Sequence, residues 1–238
     1  MKASIICLLS LFILSMQASA QLEERIAKWD VVSGAIIMNG EKQEGYIMSL
    51  HSIGEDEKVY SRPWVFQDHI RFIDKKVFEN AKKVKLKMFT KYKPKDINGY
   101  IYGDLYTYVS VKYADMSAIG TGMIAKRMFM RKVTDGPISI FHHFDEPPAV
   151  NSPNDTNQYG VANLVYQKGE DGKLKLVNDL NVKKELADCP LIVEKHEKGI
   201  YLSTKDDEGS KLSKLAVNTT LRKEARLMVI EDYNNNCQ

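Results

Sequence analysis

The stretch DVVSGAIIMNGEKQEGYIMSL, residues 30–50, decides the fold class of this chain. Two apolar segments flank the dipeptide Asn39-Gly40. An Asn-Gly pair readily adopts the positive φ angles of a two-residue turn, whose twist matches that of the strands on either side. The sequence therefore predicts a β-hairpin here.

Comparable short segments follow along the chain, separated by turn residues. The segments predicted as strands are HIRFID (69–74), KVKLKMF (83–89), the tyrosine-rich stretch through YVSVKYA (91–114), KRMFMRKV (126–133), PISIFHHF (137–144) and LVYQKGEDGKLKLV (164–177). One short helix is predicted within KKVFENAKK (75–83). Many short strands with frequent turns are typical of an antiparallel meander, a roll or a sandwich.

The spacing becomes helical after Asn181, which is a candidate N-cap for VKKELADC (182–189). A second helix is predicted in CPLIVEKHEKG (189–199), with Pro190 in its first turn and Gly199 just past its end. The clearest helix is LRKEARLMVIEDY (221–233). Its capping candidates are Asn218, Thr219 and Thr220, and its apolar stripe is Leu221, Ala225, Met228 and Val229.

Together these patterns predict an α+β fold. A β-rich region is expected over residues 21–180, and a helical region over residues 181–238 is expected to pack on it in one continuous domain.

The first twenty residues, MKASIICLLSLFILSMQASA, have the form of a secretory signal peptide. Lys2 precedes an apolar run that is too short to span a bilayer, and the small residues Ala18 and Ala20 suit a signal peptidase. Cleavage is predicted before Gln21. We therefore expect an exported protein, periplasmic or extracellular, without a transmembrane segment after cleavage.

The charge balance argues against a nucleic-acid partner. The net charge of +3 becomes +2 once Lys2 is removed, which is close to neutral. No P-loop, dinucleotide fingerprint or G-x-S-x-G elbow occurs in the sequence, so no cofactor is predicted.

Loss of the predicted signal peptide removes Cys7 and leaves Cys189 and Cys237. Thiols oxidise in an exported compartment, so the pair predicts a disulfide between the start of one helix and the end of another. Free thiols or a metal pair are the alternative, but no Cys-x-x-Cys spacing supports a metal.

Three parts of the chain carry a family resemblance. They are KYKPKDINGYIYGDLYTY (91–108), FMRKVTDGPISIF (129–141), and LADCPLIVEKHEKGIY (186–201) taken together with VIEDYNNNC (229–237). The chain resembles uncharacterised exported proteins of Bacteroidota-type bacteria. The resemblance implies an exported β-rich protein with a helical tail, and it supplies no activity.

The tyrosines Tyr100, Tyr102, Tyr106 and Tyr108 are candidate binding residues. A two-residue turn at Gly103-Asp104 would place Tyr100 and Tyr102 on one face and Tyr106 and Tyr108 on the other. A carbohydrate platform needs several rings on one exposed face, so we interpret the split set as core or rim packing.

Nine lysines crowd residues 75–95, with Glu79 as the only acid. As a strand, KVKLKMF would present Lys83, Lys85 and Lys87 on one face. A solvated edge that resists aggregation explains this face, and a docking stripe for an anionic glycan, lipopolysaccharide or an acidic partner is the alternative.

His142, His143 and Asp145 form the one cluster with catalytic residue types. Consecutive strand residues point to opposite faces, and no further cluster supplies the remaining ligands of a zinc site, so no metal is predicted.

These observations favour a non-enzymatic, exported binding or envelope-associated interaction protein. Its partner would be an envelope glycan or an envelope protein. The alternative is a hydrolase acting on glycan or peptide, with a site built from dispersed residues such as the histidine cluster.

Overall fold

The computed structural model describes residues 20–49, 51–53, 59–114, 125–146, 161–201 and 211–237. The chain forms two compact units, Met1–Val111 (unit 1) and Lys112–Gln238 (unit 2). The predicted α+β class, rich in antiparallel strands and helical at its C-terminal end, is confirmed.

Unit 1 is built on antiparallel strands with helical pieces beside them. Its elements are α1 (residues 20–29), β1 (Val31–Met38), β2 (Glu41–Met48), β3 (His51–Ile53), β4 (Val59–Ser61), α2 (Val65–Asp68), β5 (Ile70–Asp74), α3 (Lys75–Asn80), a 3₁₀ turn (Leu86–Met88), β6 (Thr90–Tyr92), β7 (Gly99–Tyr102) and β8 (Tyr106–Tyr113). The strand order is β8-β7-β1-β2-β5-β6, and β3 pairs with β4 separately.

The β1–β2 hairpin confirms the prediction from the Asn-Gly pair. Met38 lies opposite Glu41, which leaves a two-residue turn. Asn39 and Gly40 both have positive φ, 53° and 82°, as this turn requires.

The strand predicted over 83–89 is wrong, because the chain forms a 3₁₀ turn there. Val84 and Phe89 are both buried in the same core, whereas Leu86 is exposed. Two residues five apart cannot share one face of a strand, so the chain turns to bring both inward.

Helix α1 is attached to this core by Leu22, Ile26 and Trp29, which follow helical spacing. They pack against a cluster formed by Val31, Tyr46, Ile73, Phe78, Val84 and Phe89. The packing holds the polar face of α1 beside the chain that leaves α3.

Unit 2 combines antiparallel strands with a helical layer. Its elements are β9 (Lys126–Thr134), β10 (Ile138–His143), β11 (Asn163–Lys168), β12 (Lys175–Leu176), a 3₁₀ turn (Val177–Asp179), α4 (Val182–Glu185), α5 (Pro190–Glu197) and α6 (Lys211–Asn236). The strand order is β12-β11-β10-β9. No helix in the described ranges combines the length and apolar character needed to cross a bilayer.

The helical layer packs on β10 and β11 through one buried cluster. Its members include Ile138, Tyr166, Leu186, Ile192, Val229 and Tyr233. The predicted caps are confirmed: the Asn181 side chain accepts from the Lys184 N–H at 3.1 Å, and Pro190 begins α5.

The start predicted for the last helix is wrong. Helix α6 already begins at Lys211, so the predicted caps at 218–220 lie inside it. Asn and Thr inside a helix each reduce its stability by less than about 1 kcal/mol relative to Ala, so these residues do not force the helix to end. Met228 is half exposed, and the α6 residues that face the core include Ala225, Val229, Ile230 and Tyr233.

The predicted disulfide is present. Cys189 and Cys237 are bonded, with their Cα atoms 5.9 Å apart. The bond joins the residue before α5 to the residue after α6, so it ties the ends of these two helices together.

Candidate functional site: a basic groove in unit 1

A groove of about 470 Å³ lies between α1 and the chain that follows α3. Its walls include Glu24, Arg25, Lys28, Trp29, Lys82 and Lys83. This volume lies in the range of small-molecule binding sites.

Arg25 fixes one wall of the groove by capping the end of α3. Its guanidinium donates to the carbonyl oxygens of Phe78 and of Glu79, the latter at 2.9 Å, and lies 5.9 Å from the Phe78 ring centre. The last carbonyls of a helix lack partners within the helix and carry partial negative charge. Arg25 therefore holds α1 and α3 in a set arrangement.

Trp29 supplies an aromatic surface to the same groove. Its ring packs against Phe89 at a centroid distance of 5.4 Å, and the side chain is half-buried. The groove thus combines an apolar wall with cationic walls, which suits a ligand that has both characters.

The electrostatics of the groove favour an anion. Lys28, Lys82 and Lys83 are exposed, and within the described part of the chain none of their ammonium groups has a hydrogen bond or ion pair. Glu24 is the only acidic residue in the described lining, against four cations when Arg25 is included. Like charges gathered in one concave site raise the local concentration of the opposite ion.

A second pocket of about 220 Å³ lies over β7, β1 and β2 of the same unit. Its charged lining residues are Lys42, Glu44, Lys75 and Asp104. Lys75 and Glu44 are 3.4 Å apart. Tyr46, also in the lining, donates to Glu79 at 2.9 Å; burial, with the Glu79 carboxylate beside it, raises the pKa of Tyr46 to about 12.

The predicted split of the tyrosines is wrong. Tyr100 lies opposite Tyr108, and Tyr102 lies opposite Tyr106, so the turn has three residues and all four rings share one face. Gly103, with φ of 62°, permits the longer turn.

Most of the tyrosine face is packed rather than open. Tyr100 and Tyr108 are buried and stack at 4.5 Å, and the Tyr100 hydroxyl donates to the Phe66 carbonyl at 2.9 Å. Tyr102 contacts the Phe66 ring at 5.0 Å, and Tyr106 is 40% exposed. The tyrosine face therefore lacks the several exposed rings that a platform for stacking uncharged sugars needs.

The structure separates the three lysines that the strand prediction placed together. Lys83 lines the groove, whereas Lys85 and Lys87 are exposed outside its lining. These two lysines therefore serve as matched controls for the groove.

The side chains of the histidine cluster do not meet in one site. His142 and His143 are consecutive residues of β10 and point to opposite faces. Burial, with Arg131 beside it, lowers the pKa of His142 to about 4. His143 is buried with Nδ1 3.7 Å from an oxygen of Asp145, and none of these residues lines the groove or the second pocket.

Sequence reasoning missed Arg25, Lys28, Trp29 and Lys82. The first three are spaced three and four residues apart, which places them on one helical face, so the amphipathic pattern of residues 21–29 carried the signal. Nothing in the sequence indicated that this face meets the lysines after α3.

No protein-family model matches the chain, and no curated protein or solved structure is significantly similar to it.

Proposed function

We propose that this chain is an exported binding protein that holds an anionic ligand in the basic groove of unit 1. The observation that carries the proposal is the lining of the groove, where four cations meet a tryptophan and only one carboxylate. A pocket of this composition favours anions, and the one carboxylate in its described lining does not make the carboxyl pair that glycoside hydrolysis needs.

The signal-peptide pattern and the resemblance to exported Bacteroidota-type proteins support a periplasmic or extracellular location. The groove residues all lie beyond the predicted cleavage site, so they belong to the mature chain. An envelope glycan bearing carboxylates or phosphates is the ligand class that an exported protein of this kind meets.

The expected affinity comes from several weak contacts acting together. An exposed lysine–carboxylate contact contributes about 0.2–1 kcal/mol, so one contact alone gives little affinity. Because salt screens exposed charges over about 8–10 Å at physiological ionic strength, affinity is expected to fall as salt rises.

Tryptophan fluorescence provides a direct test, because the chain has two tryptophans and one, Trp29, lines the groove. A Trp64→Phe background makes Trp29 the sole reporter. We expect a galacturonate trisaccharide to change its emission to saturation, and neutral maltotriose to leave it unchanged. If carboxylate, phosphate and sulfate probes all fail to bind, the proposal is overturned.

A matched pair of variants separates the groove from general surface charge. Lys82→Gln/Lys83→Gln is expected to weaken trisaccharide binding about tenfold, which corresponds to ~1.4 kcal/mol. Lys85→Gln/Lys87→Gln changes the net charge equally and is expected to leave binding within about twofold. Equal losses in the two variants would contradict a specific site.

A further inference from the structure

We propose that the ligand of unit 1 is a linear anionic polysaccharide that runs along α3 and occupies both the basic groove and the second pocket. This inference rests on the proposed function and specifies its ligand as a chain of several charged sugars.

Glu79 of α3 connects the two sites. Its backbone oxygen accepts from Arg25 in the groove wall, and its carboxylate accepts from the Tyr46 hydroxyl in the wall of the second pocket. The groove and the second pocket therefore flank the same helical residue.

The cations of the two sites lie at opposite ends of α3. Lys75 begins the helix and lines the second pocket, whereas Lys82 and Lys83 follow its end and line the groove. Six helical residues rise about 9 Å. The exposed Lys76 lies on the helix between the two ends. A short ligand occupies one site, and we expect a longer oligosaccharide to reach both.

The path carries a small net positive charge, most of it in the groove, because Lys42 and Lys75 of the second pocket are matched in number by Glu44 and Asp104. Its cations are Arg25, Lys28, Lys42, Lys75, Lys82 and Lys83, and its acids are Glu24, Glu44, Glu79 and Asp104. Glu44 already lies near Lys75, and Glu79 accepts from Tyr46. The Lys42 ammonium has no hydrogen bond or ion pair with any residue in the described ranges, which leaves it available to a ligand; the Asp104 carboxylate of the same pocket has no such partner either.

Two other polyanions fit the sites less well. Single-stranded nucleic acid is held by several stacking rings, but Tyr46 is buried, so Trp29 alone could stack a base. An acidic peptide would add to an open strand edge, but β1 and β2 at the second pocket are paired on both sides.

The dependence of affinity on ligand length tests the inference. In the Trp64→Phe background, galacturonate disaccharide, tetrasaccharide and hexasaccharide are titrated in turn. We expect affinity to rise at least about tenfold from the shortest to the longest, since the second pocket is engaged without a second loss of translational freedom.

The variant Lys42→Gln/Lys75→Gln is expected to abolish the gain with length and to keep the affinity for the disaccharide. Lys75 has Glu44 as a partner, so the double variant also removes a contact within the protein. Lys42→Gln alone is therefore measured as well, and it is expected to reduce the rise in affinity with ligand length. Lys85→Gln/Lys87→Gln is the charge-matched control and is expected to retain the full gain.

Three results would overturn the inference and leave the proposed function standing. The first is a disaccharide that binds as tightly as the hexasaccharide. The second is a gain with length that survives Lys42→Gln/Lys75→Gln. The third is tighter binding of polyglutamate or oligothymidylate of equal charge. Failure of every anion to bind would instead overturn the proposed function and this inference with it.

Discussion

The lysines of the groove in unit 1 and the lysines of the helical layer in unit 2 have opposite surroundings. In unit 1, Lys82 and Lys83 line an open groove without a carboxylate partner among the described residues. In unit 2, three lysines each donate to a carboxylate: Lys168 to Asp188 at 2.6 Å, Lys175 to Glu185 at 2.8 Å, and Lys195 to Asp232 at 2.8 Å.

The same carboxylates also accept from buried tyrosines. The Tyr166 hydroxyl donates to Glu185 at 2.6 Å, and that of Tyr233 donates to Asp188 at 2.6 Å. These networks connect the helical layer to β11 and β12. A lysine held in such a network stabilises the fold, whereas a lysine without a partner remains available to a ligand.

The largest expected effect tests whether unit 2 depends on its cross-link. Replacing Cys189 and Cys237 together by serine opens a loop that spans 48 residues, and the chain-entropy model gives a loss of about 4 kcal/mol as an upper figure. We expect amide exchange to accelerate most in α5 and α6. Tryptophan emission, which reports unit 1 alone, is expected to change little.

A uniform loss of protection in both units would contradict this expectation. It would mean that the two units unfold as one cooperative body, so that the cross-link stabilises both equally.

The second largest expected effect is the loss of stability of unit 2 at low pH. Burial opposes the ionised form of Glu185 and Asp188, but Lys175 and Lys168, with the tyrosine hydroxyls, outweigh it and hold both pKa values below the ordinary range. Lys195 and then Tyr201 lower the pKa of Asp232. Such carboxylates stabilise the fold fully above their unfolded pKa, near 4, and this stability is lost as pH falls through the lower folded pKa.

The free energy of unfolding of unit 2 is therefore expected to fall by about 1–2 kcal/mol between about pH 6 and about pH 3, since each lysine–carboxylate pair contributes about 0.2–1 kcal/mol. Unit 1 is expected to have a smaller response: the Gln43 amide and the Val77 N–H lower the pKa of Asp74, but no carboxylate among its described residues joins a lysine and a tyrosine in one network. Urea unfolding followed by tryptophan emission for unit 1 and by amide signals for unit 2 measures the difference. Greater acid sensitivity in unit 1 would contradict it.

The smallest effect compares one lysine from each unit. Lys168→Gln removes a donor to both the Glu185 carbonyl and Asp188, so we expect a loss of about 1 kcal/mol. Lys82→Gln removes no described contact and is expected to change the free energy of unfolding by less than about 0.5 kcal/mol. Thermal unfolding of both variants checks this, and similar losses would mean that Lys82 also has a structural role.

Local sequence signals predicted much of the architecture. Asn39-Gly40 specified its turn because few other pairs adopt those φ angles. Asn181 and Pro190 marked helix starts through their own chemistry. The strand prediction for residues 83–89 was wrong because an alternation of residue types does not show which apolar side chains will be buried in a core.

The sequence by itself determined the α+β class, the β1–β2 hairpin and the helix starts at Asn181 and Pro190, because turn and cap preferences act within a few residues. It also predicted which two cysteines pair. The tertiary structure alone decided which lysines are available to a ligand. A lysine is available when no carboxylate from a distant part of the sequence lies close enough to form an ion pair with it. It also has to line a groove, which depends on the helix face that packs beside it. Both conditions are set by tertiary packing.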